Sequence, residues 1–270
     1  MSDRSAARLG DAWRAFERRW LGLSSGPFAE EAERAGWLPD GPGAACWRCG
    51  GDTGPGEADG EGCGGCRLRR VPWDRFVRVG RYAGVLRRAV LELKFSRFRR
   101  RGAELGRLLG DALGDAAAES AIEAGELLVV GVPMPRWRRF ARGIDHAAVL
   151  ARTSAARCGA GHRAGVLRRR AGRELVGLSP SARRASIKNR MYLADDASGL
   201  LGGVRAIVVV DDVRTTGATL GEACRALRDG GVASPADGGP EVWVAAVAVT
   251  SSRDRGGNGP GLVGVPKAGG

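Results

Sequence analysis

Apolar and polar positions divide the chain into recognisable pieces. Four β-branched residues in a row, Ile207, Val208, Val209 and Val210, predict a strand buried on both faces, because a half-exposed strand would alternate. Residues 127–132 form a second such run, and residues 242–250 a closing one. Residues 73–83 alternate through Phe76, Val77, Val79 and Tyr82, which predicts another strand, followed by a helix through Leu93. A further helix fits residues 103–118, and helical spacing resumes at Leu220, Ala223, Cys224 and Leu227. Residues 1–36 place Leu9, Trp13, Phe16 and Trp20 on one face of an amphipathic helix. Helices between parallel strands define an α/β fold.

The most informative stretch follows the first of these strands. Asp211 and Asp212 end the apolar run, then Thr215, Thr216, Gly217, Ala218 and Thr219 lead into the helix at Leu220. A strand, a tight glycine turn and a helix N-terminus offer backbone N–H groups and the positive dipole end to a phosphate. The carboxylates suit vicinal hydroxyls or a divalent cation. A ribose 5-phosphate satisfies both halves. The competing reading is a generic strand-turn-helix in which the two acids cap the helix. A Walker loop is excluded, because no Gly-Lys-Ser/Thr follows the strand.

Cys46 and Cys49 form one Cys-x-x-Cys pair, Cys63 and Cys66 a second, and a polar, glycine-rich loop separates them. Two such turns present the four sulfurs that a tetrahedral Zn²⁺ takes, with a redox pair or an iron–sulfur cluster as the alternatives. A zinc here is structural, since no ligand position is left for substrate. The loop is too polar for a core of its own, so the metal would supply much of its folding free energy.

Charge adds less than its size suggests. The formal net charge is +13 and the pI about 10.7, which ordinarily points to a polyanionic partner such as single-stranded DNA. Only three of the 43 basic side chains are lysine, and Gly and Ala abound, so an arginine-rich coding bias explains the excess equally well. Lys94 therefore stands out as a candidate for a role needing a point charge, against the plainer reading of a solvated helix end. Pro133, Met134 and Pro135 stiffen the turn after residues 127–132, and Arg136, Arg138, Arg139 and Arg142 follow as a candidate pyrophosphate loop. Residues 168–190 are a basic, flexible stretch that either closes over a diphosphate or is a solvated charge run. His146 and His162 read as surface or packing residues, and Cys158 and Cys224 as small apolar fillers. No run of 18 apolar residues and no apolar signal core appear, which predicts a soluble, cytoplasmic protein without membrane insertion.

The stretch from Val208 to Leu220 resembles the phosphoribosyl pyrophosphate signature of type I phosphoribosyltransferases, with Arg214 a small departure. Together with the four cysteines, Tyr82 and Gly84, Leu93-Lys94-Phe95, Val132-Pro133-Met134-Pro135, Arg142-Gly143, Leu178-Ser179 and Arg183, it resembles the ComF family of competence-associated proteins. Where that family often shows Gly-Phe-Asn-Gln, this chain has Gly143-Ile144-Asp145-His146, and Leu175 and Ser186 depart as well. These departures fall in loops near an acceptor and leave it undefined.

The resemblance implies a type I phosphoribosyltransferase-like, mostly parallel sheet flanked by helices, carrying a small zinc ribbon. The expected organisation is a helical segment (1–40), a zinc ribbon (41–72), a phosphoribosyltransferase-like domain (73–250) and a disordered tail (251–270). It implies phosphoribosyl pyrophosphate with Mg²⁺ as ligand, Asp211 and Asp212 as catalytic residues and transfer to an unidentified acceptor. The alternative is a non-catalytic DNA-uptake factor that binds single-stranded DNA or competence proteins and uses the pocket as a sensor.

Overall fold

The computed structural model describes residues 26–54, 56–95, 99–135, 144–170, 190–195 and 202–250. The first 25 residues of the helix expected over 1–36, the loop bearing Arg136, Arg138, Arg139 and Arg142, most of the basic stretch (171–189) and the tail (251–270) lie outside them. The first described element is the short helix α1 (Phe28–Arg34). The cysteine module follows, with β1 (Ala58–Asp59), β2 (Gly62–Cys63) and α2 (Gly64–Arg67). Then come β3 (Arg75–Arg81), α3 (Gly84–Phe95), α4 (Arg99–Glu119), β4 (Leu127–Gly131), α5 (His146–Cys158) and β5 (Gly161–His162). The chain closes with β6 (Leu167–Arg169), β7 (Met191–Leu193), β8 (Ala206–Arg214), α6 (Ala218–Asp229) and β9 (Glu241–Val249).

Five strands form one sheet in the order β3-β9-β8-β4-β5, and every pairing in it is parallel. The fold is α/β, as the apolar runs predict. Parallel strands need both faces covered, and alternate residues build two cores. Val77, Val129, Val208, Val210 and Trp243 face α3, α4 and α5, where Leu86, Leu105, Leu109 and Leu150 are fully buried. Phe76, Val130, Ile207, Val209 and Val244 face α6, which contributes Leu220, Ala223, Cys224 and Leu227. Cys224 is thus the apolar filler expected, and burial pushes its thiol up to about 12.

Two local devices hold the α4 layer. Gly102, Gly106 and Gly110 recur every helical turn on the face that α5 covers, where a Cβ at Gly110 would sit 2.5 Å from Arg157 Cβ and 2.7 Å from the Ser154 carbonyl oxygen. The buried Arg101 guanidinium ties three helices together through Glu31 and Glu92 (2.7 Å each) and Glu104 (3.0 Å). An ion this deeply buried is tolerated only because it is fully paired.

The structure extends several expectations. β8 runs through Arg214, because Val213 and Arg214 remain paired with Ala248 and Val249 of β9. The acids therefore lie within the strand. Helix α4 begins at Arg99, ahead of the expected start. The two ends of the basic stretch form an antiparallel ladder, β6 with β7, which the sequence reading missed. The buried Glu222 on α6 anchors it, accepting N–H bonds from Arg190 (2.8 Å) and Met191 (3.1 Å).

Candidate functional site

Register brings the candidate residues to the C-terminal edge of the sheet. Gly131 lies opposite Val210, so the chain leaves β4 through Pro133, Met134 and Pro135 level with Asp211 and Asp212. Val132 is still bound to the sheet, its N–H donating to the Val210 carbonyl at 2.9 Å. Side-chain alternation sends Asp212 to the α3 side with Val208 and Val210, and Asp211 to the α6 side with Ile207 and Val209. Lys94, in the last turn of α3, meets Asp212 Oδ1 at 3.3 Å. Its ammonium therefore faces the acid pair and is not merely a solvated helix end. Asp211 Oδ1 accepts the Asp212 N–H at 2.8 Å.

Among the described residues, the one ammonium of Lys94 does not balance this site. Burial first, and the Asp212 charge second, push the Asp211 carboxyl up to about 7, with Asp145 adding to the effect. Asp145 is the residue that sequence reasoning noticed only as a departure. It caps α5, its Oδ1 accepting the Ala148 N–H at 3.1 Å. The β4–β8 pairing is what brings this cap toward the acid pair. A donor set of adjacent carboxylates short of positive charge fits a divalent cation or a ligand carrying one.

The loop beyond β8 makes a left-handed turn at Gly217 (φ 79°) before α6. Thr215, Thr216, Ala218 and Thr219 are exposed, and Thr216 Oγ1 accepts the Ala218 N–H at 3.3 Å. A Cβ on Gly217 would lie 3.1 Å from the Trp73 ring. Glycine is needed here for its dihedral and for Trp73, in addition to any ligand. Arg214 lays its guanidinium over the Phe76 ring, 5.6 Å from the centroid.

The four cysteines form a second centre, and their sulfurs all lie within 4.8 Å of one another. Three sulfur pairs, Cys46–Cys66, Cys49–Cys63 and Cys63–Cys66, are 3.8 Å apart. A tetrahedron with metal–sulfur bonds of about 2.3 Å has edges of about 3.8 Å, so the cluster can hold a zinc ion. As bare thiols they ionise unevenly. Hydrogen bonding with Cys49 brings Cys46 down to about 4, whereas burial pushes Cys66 up to about 11. Four thiolates together require a cation.

This centre abuts the threonine loop. A cavity of about 200 Å³ is lined by Cys49 and Cys66 on one side, by Thr216, Gly217 and Ala218 on the other, and by Trp73 between them. The sequence spacing of more than a hundred residues gave no sign of this proximity. Arg142 lies outside the described residues.

Site and sheet together define a parallel α/β protein with two adjacent carboxylates near the C-terminal end of a central strand and, beside it, a four-cysteine cluster that can hold a metal ion. A scan of family models finds none that matches the chain. Individual relatives do match. The chain is 32% identical over 174 residues to DNA utilization protein YhgH of Escherichia coli strain K12, covering 64% of this chain and 74% of that protein. Against DNA utilization protein YhgH of Salmonella typhimurium it is 30% identical over 173 residues, with the same coverage. Competence protein F of Haemophilus influenzae matches at 29% over 171 residues, 63% of this chain and 73% of that protein. The chain belongs to this family of DNA utilization and competence proteins, the ComF family.

Proposed function

We propose that the protein binds phosphoribosyl pyrophosphate, or a related sugar phosphate carrying Mg²⁺, at the Asp211–Thr219 edge, and that it works in the handling of DNA taken up during competence. The observation that carries the reading is the acid pair near the C-terminal end of β8, short of positive charge among the described residues, ahead of the loop that leads into α6. In this reading Asp211 and Asp212 hold the ribose hydroxyls, and Thr215, Thr216, Gly217, Ala218 and Thr219 hold the 5-phosphate. Pro133, Met134 and Pro135 shape the diphosphate side with Arg142. Mg²⁺ would supply neutralisation of the diphosphate. Lys94 holds Asp212 until a ligand arrives. Residues 41–72 act as a structural zinc ribbon on a phosphoribosyltransferase-like domain of residues 73–250.

The names of the relatives, given for DNA utilization and competence, favour a second form of the same reading, in which the pocket senses the sugar phosphate without transferring it. Titration calorimetry with phosphoribosyl pyrophosphate and Mg²⁺ tests the shared site. Asp211→Asn combined with Asp212→Asn is expected to weaken binding at least tenfold while the fold survives, and unchanged affinity would refute the site. Pyrophosphate release with a panel of bases then separates enzyme from sensor.

A further inference from the structure

Backbone carbonyls of the first Cys-x-x-Cys turn reach into the α/β domain and hold groups there. The Trp47 carbonyl accepts the Phe76 N–H at 2.7 Å, and the Arg48 carbonyl accepts the Trp73 indole N–H at 2.7 Å. The Gly50 carbonyl accepts an Arg78 N–H at 2.8 Å. Two of these three groups belong to buried aromatic residues, Trp73 and Phe76, whose rings meet edge to face with centroids 6.0 Å apart.

Both rings pass the contact on to the threonine loop. The five-membered ring of Trp73 carries the N–H bonded to Arg48. The far corner of its six-membered ring, Cη2, is the atom that a Cβ on Gly217 would meet at 3.1 Å. Phe76 packs against Gly50, where a Cβ would fall 2.3 Å from its ring, and carries the Arg214 guanidinium 5.6 Å from its centroid. Arg214 ends β8 and Gly217 precedes α6, so the loop rests at both ends on rings that the cysteine turn holds. Pro72 adds a contact one helical turn further on, since a Cβ on Gly221 would lie 3.2 Å from its Cγ.

A buried tryptophan needs a partner for its N–H, and filling the core is the plainer role for Trp73. The choice of partner says more. Arg48 lies between two of the four cysteines, and the buried apolar cluster around it consists of the cysteines themselves. The backbone there is tied to the sulfurs, with the Gly51 N–H donating to Cys49 Sγ at 3.4 Å and the Cys63 N–H to Cys46 Sγ at 3.2 Å. The place of the Arg48 carbonyl therefore follows the place of the sulfurs, which a bound cation would fix.

We infer that Trp73 is a positioning residue that carries the state of the cysteine centre to the threonine loop, so that zinc on the four sulfurs tightens sugar-phosphate binding at a site the zinc does not touch. This deepens the proposed function and rests on its reading of residues 215–219 as the 5-phosphate site. Linkage makes the effect reciprocal: the bound sugar phosphate should slow the loss of zinc.

The test takes two readouts on the full chain, each before and after a zinc-selective chelator. One is hydrogen exchange of the amides in residues 214–220, and the other is equilibrium binding of labelled ribose 5-phosphate. In the wild type, chelation is expected to speed exchange in the loop while β4 and β8 keep theirs. Ribose 5-phosphate should bind about fivefold more weakly or worse, the low end of ordinary coupling between sites. Trp73→Phe keeps a ring but loses the N–H and the reach to Gly217. It should retain zinc, start with a fast-exchanging loop and weak binding, and change little on chelation. Phe28→Leu, in the opposite core, controls for lost packing: it should lower stability and leave the loop and its response to chelation as in the wild type. A wild-type loop indifferent to chelation, or exchange that quickens equally in β4 and β8, overturns the inference. So does a Trp73→Phe protein that responds to chelation as fully as the wild type. If loop exchange follows zinc through Trp73 yet ribose 5-phosphate does not bind, the positioning role stands and the sugar-phosphate site falls.

Discussion

Replacing Asp211 by Asn isolates the electrostatic cost of the acid pair. The amide keeps the shape and still accepts the Asp212 N–H that Asp211 Oδ1 accepts now. The native carboxyl is raised from an ordinary 3.8 to about 7, so the folded protein holds a proton that the unfolded chain has released over that window. Stability then falls as pH rises from about 4 to 7, by the linkage of proton binding to folding. Each pH unit in the window is worth about 1.4 kcal/mol, which sets a ceiling of roughly 4 kcal/mol. Asp211 and Asp212 are only half-buried, and water at the sheet edge screens them, so about 2 kcal/mol is the expected figure. Urea titrations at pH 4 and pH 8 should show Asp211→Asn more stable than wild type by about 2 kcal/mol at pH 8 and nearly equal to it at pH 4. Comparing the two proteins at each pH cancels the titrating groups that do not interact with Asp211. Adding a divalent cation with the sugar phosphate should shrink the difference at pH 8, because that ligand favours the ionised wild-type pair. A variant less stable than wild type at pH 8, or a gap independent of pH, would refute the argument.

Metal analysis should find about one zinc per chain, and Cys63→Ser should lose it. Iron would refute the zinc assignment, and full zinc retention in that variant would exclude the four-thiolate site. On α4, Gly110→Ala should cost about 1–3 kcal/mol because its new methyl meets the Ser154 carbonyl and Arg157. Gly114→Ala, whose nearest neighbour is Cys158 Cβ at 3.8 Å, should be neutral or stabilising by up to about 1 kcal/mol through helix propensity. Urea titration decides both, and equal costs at the two positions would show that α4 and α5 adjust to each other freely.

Short-range chemistry was legible in the chain. Four consecutive β-branched residues can only be satisfied by burial on both sides, and Ile207, Val208, Val209 and Val210 are all fully buried. Cysteine pairs at fixed spacing likewise announced their cluster, since each turn is local. What remained hidden depends on strand order. Asp145 comes near Asp211 because β4 lies beside β8, and no periodicity reports which strands are neighbours. Trp73 sits over Gly217 for the same reason, so the glycine looked like a concession to ligand alone. The β6–β7 ladder was missed because three-residue strands amid arginines carry no apolar alternation to read. Lys94 was flagged by rarity, and its partner Asp212 became visible only when α3 was laid along the sheet.

The outermost strand of the sheet does not present a bare rim. On the side away from β9, the Phe76 N–H donates to the Trp47 carbonyl at 2.7 Å, and the Val79 carbonyl accepts the Asp40 N–H at 2.9 Å. Buried Arg78 clamps the same margin, reaching Asp40 at 2.6 Å, Asp52 at 2.8 Å and the Gly50 carbonyl at 2.8 Å. The cysteine module is thus a guard rail for β3. With the proposed zinc in place, stripping that cation would expose hydrogen-bonding groups that invite another molecule's strand. Metal starvation would then surface as clumping that worsens with protein concentration, well before the parallel sheet itself lets go.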